Sequence, residues 1–435
     1  MSVGYRQLIA GNRNFRNLLF GQYISELGTW FNFVAGISLV REVSGGAPEV
    51  AGLLLFWRTL PFALLTPVAG AFADRYSRRT VMLATDVVRV AFALLFLLVA
   101  RNEDLWIAYF GSVLLSIATA FFDAAKNAAI PNISGKEGLL SATALMFSSR
   151  FILMSFGALL GGIAAATIGY RWAFVINSAS FAISAVFVWL IPAEAMFERS
   201  PEKRRDDLAR KGLSSLAGTV AAIGREISEG VRYTFGNRFA LTVLLINIIW
   251  AIGGGASNIV FEALGVSVFR DRGYTADYFY SFLMAANGLG LAIGVLGAKR
   301  LAAVVERRNL VNGFMGWALI LHGVLFALAG FMPFAWLVAL FVLLSRALIG
   351  AQYTVQETLF QRMLPDEIRG RISTFDRGAE ITVYSISSLA SGLALTSLSA
   401  PTVFAASGLL AGMSGVVWFL RIRKGTGIEG MDKRL

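Results

Sequence analysis

GAFADRYSRR (residues 70–79) places four charges, Asp74, Arg75, Arg78 and Arg79, between two long apolar runs. The contrast sets the class of the whole chain. Of its 435 residues, 56% are hydrophobic and 15% charged, whereas soluble domains carry about 25% charged residues. Apolar runs of about 20 residues recur along the entire length, the spacing of transmembrane helices. The chain has no Cys and a single His, His322. That excludes disulfides, iron–sulfur clusters and thiolate zinc sites, and no metal or cofactor is expected. The start, MSVGYRQLIAGNRNFRN, is polar and basic with no cleavage pattern, so the first span is expected to act as its own insertion signal.

Twelve spans are predicted, at roughly 17–40, 50–73, 80–100, 105–126, 139–168, 171–191, 239–268, 275–298, 309–331, 333–357, 371–398 and 401–421. Of the 39 Lys and Arg, 29 fall in the two termini and the loops on their side; five, Arg41, Arg101, Arg171, Arg270 and Arg272, fall in the opposite loops. Basic loops stay in the cytoplasm. The expectation is a multi-pass protein of a bacterial-type inner (plasma) membrane with both termini cytoplasmic. The net charge of +12 reads as topology. No basic stretch is interleaved with aromatics as a nucleic-acid surface would be, so no nucleic-acid partner is expected.

The chain divides at its one long polar segment. Residues 1–191 form a predicted N-terminal six-helix bundle, 192–238 a cytoplasmic linker ending in an amphipathic helix, and 239–435 a C-terminal six-helix bundle with a short tail. The halves echo each other. Asn12-Arg13 matches Asn237-Arg238, Gly70…Arg78-Arg79 matches Gly297…Arg307-Arg308, Pro131 matches Pro365, and Trp189-Leu190 matches Trp418-Phe419-Leu420. Repeated helical halves around a midplane site are a transporter architecture.

At this point the residues resemble the major facilitator superfamily. GAFADRYSRRTVML is similar to that family's signature between its second and third helices, G-x-L-a-D-R-x-G-R-[RK]-x-x-L. Gly70, Asp74, Arg75, Arg78, Arg79 and Leu83 match, while Phe72 and Ser77 depart from it. The resemblance implies an all-α membrane fold of twelve helices in two pseudo-symmetric bundles. It also implies that this loop is a cytoplasmic gate: Gly70 permits close helix approach, Asp74 caps a helix, and the arginines pair with Asp123 and Asp376. A plain topology anchor is the alternative. FGALLGGIAAATIGYRWAF resembles the G-P-x-x-G-G motif of antiporter-type drug exporters. Gly157, Gly161 and Gly162 match, but Ala158 replaces the Pro and removes its kink; a generic small-residue packing face is the alternative. NAAIPNISGKEGLLSATAL and LFQRMLPDEIRGRISTF look like loops of the efflux and siderophore-exporter branch.

An ionisable group at the bilayer centre costs about 2.5–3.5 kcal/mol by insertion scales, so each one raises a functional question. Glu26 is the first candidate for proton coupling, with Arg58 as a possible partner or permanent ion pair, and Glu262 the second. Arg150 and Arg346 are candidates for an anionic substrate group or for pairing with carboxylates. Asp86 and Arg89 read as a local pair, and Asp376, Arg377 and Glu380 as part of the gate. Tyr23, Trp30, Trp57 and Trp250 are candidate cavity aromatics suited to a lipophilic substrate, against the alternative of packing. His322 reads as structural. AIGGGAS (251–257) is a candidate broken segment.

No phosphate-binding loop, metal spacing or nucleophile elbow occurs, so no enzyme activity is expected. The expected function is secondary export of a small amphipathic compound by proton antiport and alternating access. The expected partners are protons, the substrate and membrane lipids, and a monomer is expected. A lipid flippase or uptake carrier of the same fold is the second reading, and a membrane-embedded enzyme or sensor the third.

Overall fold

A computed structural model describes residues 4–196 and 214–422. Every regular element among the described residues is helical: α1 Tyr5–Gly11, α2 Arg13–Val43, α3 Pro48–Arg75, α4 Arg78–Leu94, α5 Leu105–Thr167, α6 Tyr170–Trp189, α7 Ser214–Gly236, α8 Arg238–Gly254, α9 Ser257–Leu264, α10 Ala276–Arg307, α11 Val311–Ala329, α12 Ala335–Met363, α13 Asp366–Ala394 and α14 Ala400–Arg421, with short 3₁₀ and π turns between some of them. In lipid a helix satisfies its own backbone, so an apolar chain of this kind has few alternatives.

Among the described residues nine helices are long and apolar enough to cross a membrane, and one of them, Asn102–Thr167, runs 66 residues. That is two crossings at 1.5 Å per residue. α5 turns back at Gly135, whose φ of 68° and ψ of 170° suit glycine. The predicted loop 126–139 is therefore mostly helix, and one residue makes the reversal. α2 and α13 are not among the nine; they carry Glu26, and Asp376, Arg377 and Glu380, within their lengths.

Ser and Asn side chains start several helices. Asn12 and Asn237, the repeated pair, accept from Phe15 N at 2.9 Å and Ala240 N at 3.0 Å. In the seventh predicted span α8 ends at Gly254 and α9 begins at Ser257, but Gly255 and Ala256 between them keep right-handed helical angles, so the span is interrupted without unwinding. A side chain at Gly255 would stand 2.3 Å from the Tyr384 carbonyl oxygen, so α13 occupies the space beside the break. The amphipathic helix expected before Arg238 is α7, tied to α13 by the Glu229–Arg371 ion pair. The charged part of the predicted linker, 197–213, lies outside the described residues.

α2 packs on α5 and α6, α4 on α5 and α6, α11 on α12 and α14, and α8 on α13 and α14. The two most extensive contacts between the earlier helices and the later ones are α3 against α13 and α5 against α10. In the first, the Thr59 and Ser385 hydroxyls meet at 2.6 Å. In the second, Ser155 Oγ donates to the Ala285 carbonyl at 2.8 Å, and a Cβ at Gly162 would lie 1.8 Å from Ser281 Oγ. Only a residue without a side chain lets α5 and α10 come this close.

Candidate functional site

A polar chain runs along the inner side of α2 and α5. Lys126 Nζ donates to Asp123 Oδ1 at 2.6 Å and to Gln22 Oε1 at 3.1 Å. Gln22 Nε2 donates to Glu26 Oε2 at 3.0 Å. Glu26 thus sits near the middle of α2 at the end of a relay that starts toward the basic loops. Arg58 is not its ion-pair partner. Its guanidinium donates to Asn32 Oδ1 at 2.9 Å and to the Thr29 carbonyl at 3.3 Å, and lies 5.0 Å from the centre of the Phe33 ring. Its acceptors lie about one and two turns beyond Glu26 along α2.

Glu262, a proton-coupling candidate from sequence, has another role in the geometry. Arg41 Nη1 lies 2.8 Å from Glu262 Oε1, and Arg41 Nη2 lies 2.6 Å from Asp277 Oδ1. Ser38 Oγ donates to the same Asp277 oxygen at 2.5 Å. One guanidinium at the end of α2 therefore clasps two carboxylates, on α9 and α10. This clasp closes the end of the bundle opposite the basic loops. Sequence reading passed over Arg41 and Asp277. The available signal was that Arg41 is one of only five basic residues on that face.

The predicted gate is assembled differently. Arg79 donates to the Trp189 carbonyl at the C-terminal end of α6 at 2.6 Å, and Arg78 to the carbonyl of Met196 in the 3₁₀ turn Ala193–Met196 that follows, at 2.9 Å. Carbonyls at helix ends lack intrahelical partners and are ready acceptors. Asp123 is paired with Lys126, and Asp376 Oδ2 accepts from Asn247 Nδ2 at 2.8 Å. Ser77 caps α4, accepting from Thr80 N at 3.5 Å. The Asp74 side chain lies outside the described residues. No atom lies within 4 Å of a side chain built at Gly70 or at its counterpart Gly297; close helix approach at Gly70 is not made in this structure. Arg75 is half-buried at the end of α3.

A cavity of about 190 Å³ opens between the two sets of helices near the basic loops. Phe147 lines it from α5, Val243 from α8, Tyr353, Gln356, Glu357 and Phe360 from α12, and Ser373, Asp376 and Arg377 from α13. Gln356 donates to Asn247 at 3.0 Å, continuing the network to Asp376. None of the six predicted cavity residues lines this space. Tyr23 packs in the apolar cluster around Phe15 and Phe122. Trp30 stands edge-on to Phe33 at 5.2 Å, and the exposed Trp57 edge-on to Phe56 at 5.0 Å. Arg150 is exposed, one turn from Phe147. Gly157 and Gly161 face Trp30 and Phe31 of α2, a packing contact within the first set of helices.

Trp250 and Arg346 do come together, in a second polar layer deeper in the later helices. Trp250 Nε1 donates to His322 Nε2 at 3.3 Å, and His322 Nδ1 faces the Ser345 carbonyl at 3.1 Å. With Nε2 accepting, the ring proton sits on Nδ1 in this network, which holds the indole in place and makes His322 a positioning residue. Tyr384 stacks beside Trp250 at 6.4 Å and its hydroxyl accepts from Asn258 Nδ2 at 3.2 Å. Arg346 Nη2 donates to Ser257 Oγ at 2.5 Å.

The Major Facilitator Superfamily model matches residues 18–375. The chain is 24% identical over 365 residues to "Macrolide efflux protein A" of Streptococcus pyogenes, covering 82% of this chain and 83% of that one. It is 26% identical over 317 residues to "Enterobactin exporter EntS" of Citrobacter koseri, covering 70% and 67%. A match to "Uncharacterized MFS-type transporter YfiS" of Bacillus subtilis, at 29% identity, spans 198 residues, 45% of this chain and less than half, 46%, of that one. Among solved structures, nucleoside transporter NupG superposes with a TM-score of 0.68 at 13% identity, over 94% of this chain and 98% of that one; this likeness concerns the fold. The relatives are transporters, and this chain is a multi-pass membrane transporter with efflux proteins among its relatives, not an enzyme. It belongs to the Major Facilitator Superfamily.

Proposed function

We propose that this transporter exports a small amphipathic or lipophilic compound, drug- or siderophore-like, in exchange for protons, by alternating access of its two helical sets. The observation that carries the reading is the relay Asp123–Lys126–Gln22–Glu26, which connects a carboxyl near the middle of α2 to the basic-loop end. Gln22 and Lys126 donate toward Glu26 and favour its carboxylate form, so a proton taken up there is released again to water at this end while the Arg41 clasp holds the other. Basic loops retained in the cytoplasm make that end cytoplasmic, with both termini inside a bacterial-type inner membrane and the monomer as the working unit. The two sets, 1–191 and 239–435 joined by 192–238, then rock about the fixed contacts of α3 with α13 and α5 with α10.

In the opposite state the open space beside Gly70 and Gly297 closes, and Asp123 and Asp376 become available to Arg75, Arg78 and Arg79. Relatives named for macrolide, multidrug and enterobactin efflux support the outward direction. The test is Glu26→Gln in proteoliposomes with an imposed pH gradient. Proton-driven movement of an exported dye is expected to fall at least tenfold, while dye binding to the detergent-solubilised protein stays within twofold. Undiminished proton-driven transport removes Glu26 from the coupling.

A further inference from the structure

Arg346 is a buried cation without a counter-ion. It is 5% exposed. Among the described residues it has no ion-pair partner, one hydrogen bond, to Ser257, and an Nε–H with no acceptor. A guanidinium carries five N–H donors in a planar fork suited to an oxyanion. The Phe326 ring, 4.8 Å from its carbon, supplies only weak compensation. Leaving such a charge unpaired deep in a bundle is costly unless something else supplies the negative charge. None of the carboxylates on the neighbouring elements pairs with it: Glu262 on α9 pairs with Arg41, Glu380 on α13 lies 4.0 Å from Arg377, and Asp376 on α13 accepts from Asn247.

The surroundings are those of a binding site. Trp250 and Tyr384 are half-buried, present a stacked aromatic wall, and are each anchored by a hydrogen bond, to His322 and Asn258. Ser257 and Asn258 are consecutive at the start of α9, just after the break in the seventh span, so the guanidinium and the aromatic wall hang on one short helix. This layer is separate from the cavity lined by Asp376 and from the Glu26 relay.

We propose that Arg346 receives an oxyanion, a carboxylate or sulfonate, carried by an aromatic substrate whose ring lies against Trp250 and Tyr384. The proposal rests on the transport reading but is tested by binding alone, so a failure of proton coupling does not touch it. Purified protein in nanodiscs is titrated with 2-naphthoate and, as the ring-matched cation, 2-naphthylmethylammonium, with affinity read from the ligand-dependent thermal midpoint. The expected result is a preference for naphthoate of at least tenfold. Arg346→Gln abolishes the preference; Arg346→Lys, which keeps the charge but loses the fork, retains part of it; Trp250→Ala weakens both probes alike. If Arg346→Gln does not fold, the wild-type preference and the Arg346→Lys result decide. Equal or cation-selective binding by the wild type, or an unchanged naphthoate affinity in folded Arg346→Gln, overturns the proposal.

Discussion

Two acidic residues in the first set of helices show how context separates a structural charge from a working one. Asp86 is 0% exposed, is paired with Arg89 three residues on, and accepts from Ser184 Oγ at 2.9 Å. Arg89 in turn lies between the Phe122 and Phe181 rings, 4.1 and 4.4 Å from their centres. Carboxylate, hydroxyl and two rings enclose this pair, with only Arg89 Nε lacking an acceptor, so it holds α4 to α5 and α6. Breaking a buried pair leaves one charge uncompensated, at about 3–5 kcal/mol. Asp86→Ala is therefore expected to lower the thermal midpoint by several degrees in detergent, and Glu26→Gln to leave it nearly unchanged. A Glu26→Gln midpoint as low as that of Asp86→Ala would mark Glu26 as structural. The Asp86–Arg89 pair was legible from its spacing of three, and so was the Gln22–Glu26 contact at a spacing of four. That Arg58 turns to Asn32 was not legible, because spacing along one helix says nothing about which way a neighbouring helix faces.

At the scale of elements, the glycines divide by what lies opposite them. Gly255 and Gly162 abut another helix at distances no side chain tolerates, whereas Gly70 faces open space. Gly162→Val is expected to separate α5 from α10 and cost more than half of transport activity, whether or not protein is inserted at normal levels. Gly70→Ala is expected to leave stability intact and slow turnover, which a comparison of thermal midpoint with initial transport rate resolves; equal loss of both refutes the assignment. The interruption of the seventh span falls in three consecutive glycines, but its backbone stays helical there. The turn of α5 at Gly135 was not readable, because Pro131 and a run of polar residues favour a longer loop on paper, while a single glycine at positive φ suffices in the fold.

For the whole molecule, the closed end can be locked. The chain lacks Cys, so Ser38→Cys with Asp277→Cys introduces one possible bridge where the two side chains already touch. Oxidation is expected to stop transport and reductant to restore it, with either single substitution insensitive to oxidant; full activity in the oxidised, cross-linked protein contradicts alternation at this face. Composition, apolar run length and the placement of Lys and Arg determined that the chain is a helical membrane protein and where its spans fall, since insertion into lipid responds to local hydrophobicity and charge. The signature at 70–79 pointed to the family for the same reason: it is a contiguous stretch. The partners of its arginines, the Arg41 clasp, the relay to Glu26 and the lone Arg346 were decided only by the tertiary structure. Each depends on residues up to 239 positions apart, and which of them meet is set by how whole helices pack, a choice that no stretch of sequence makes by itself.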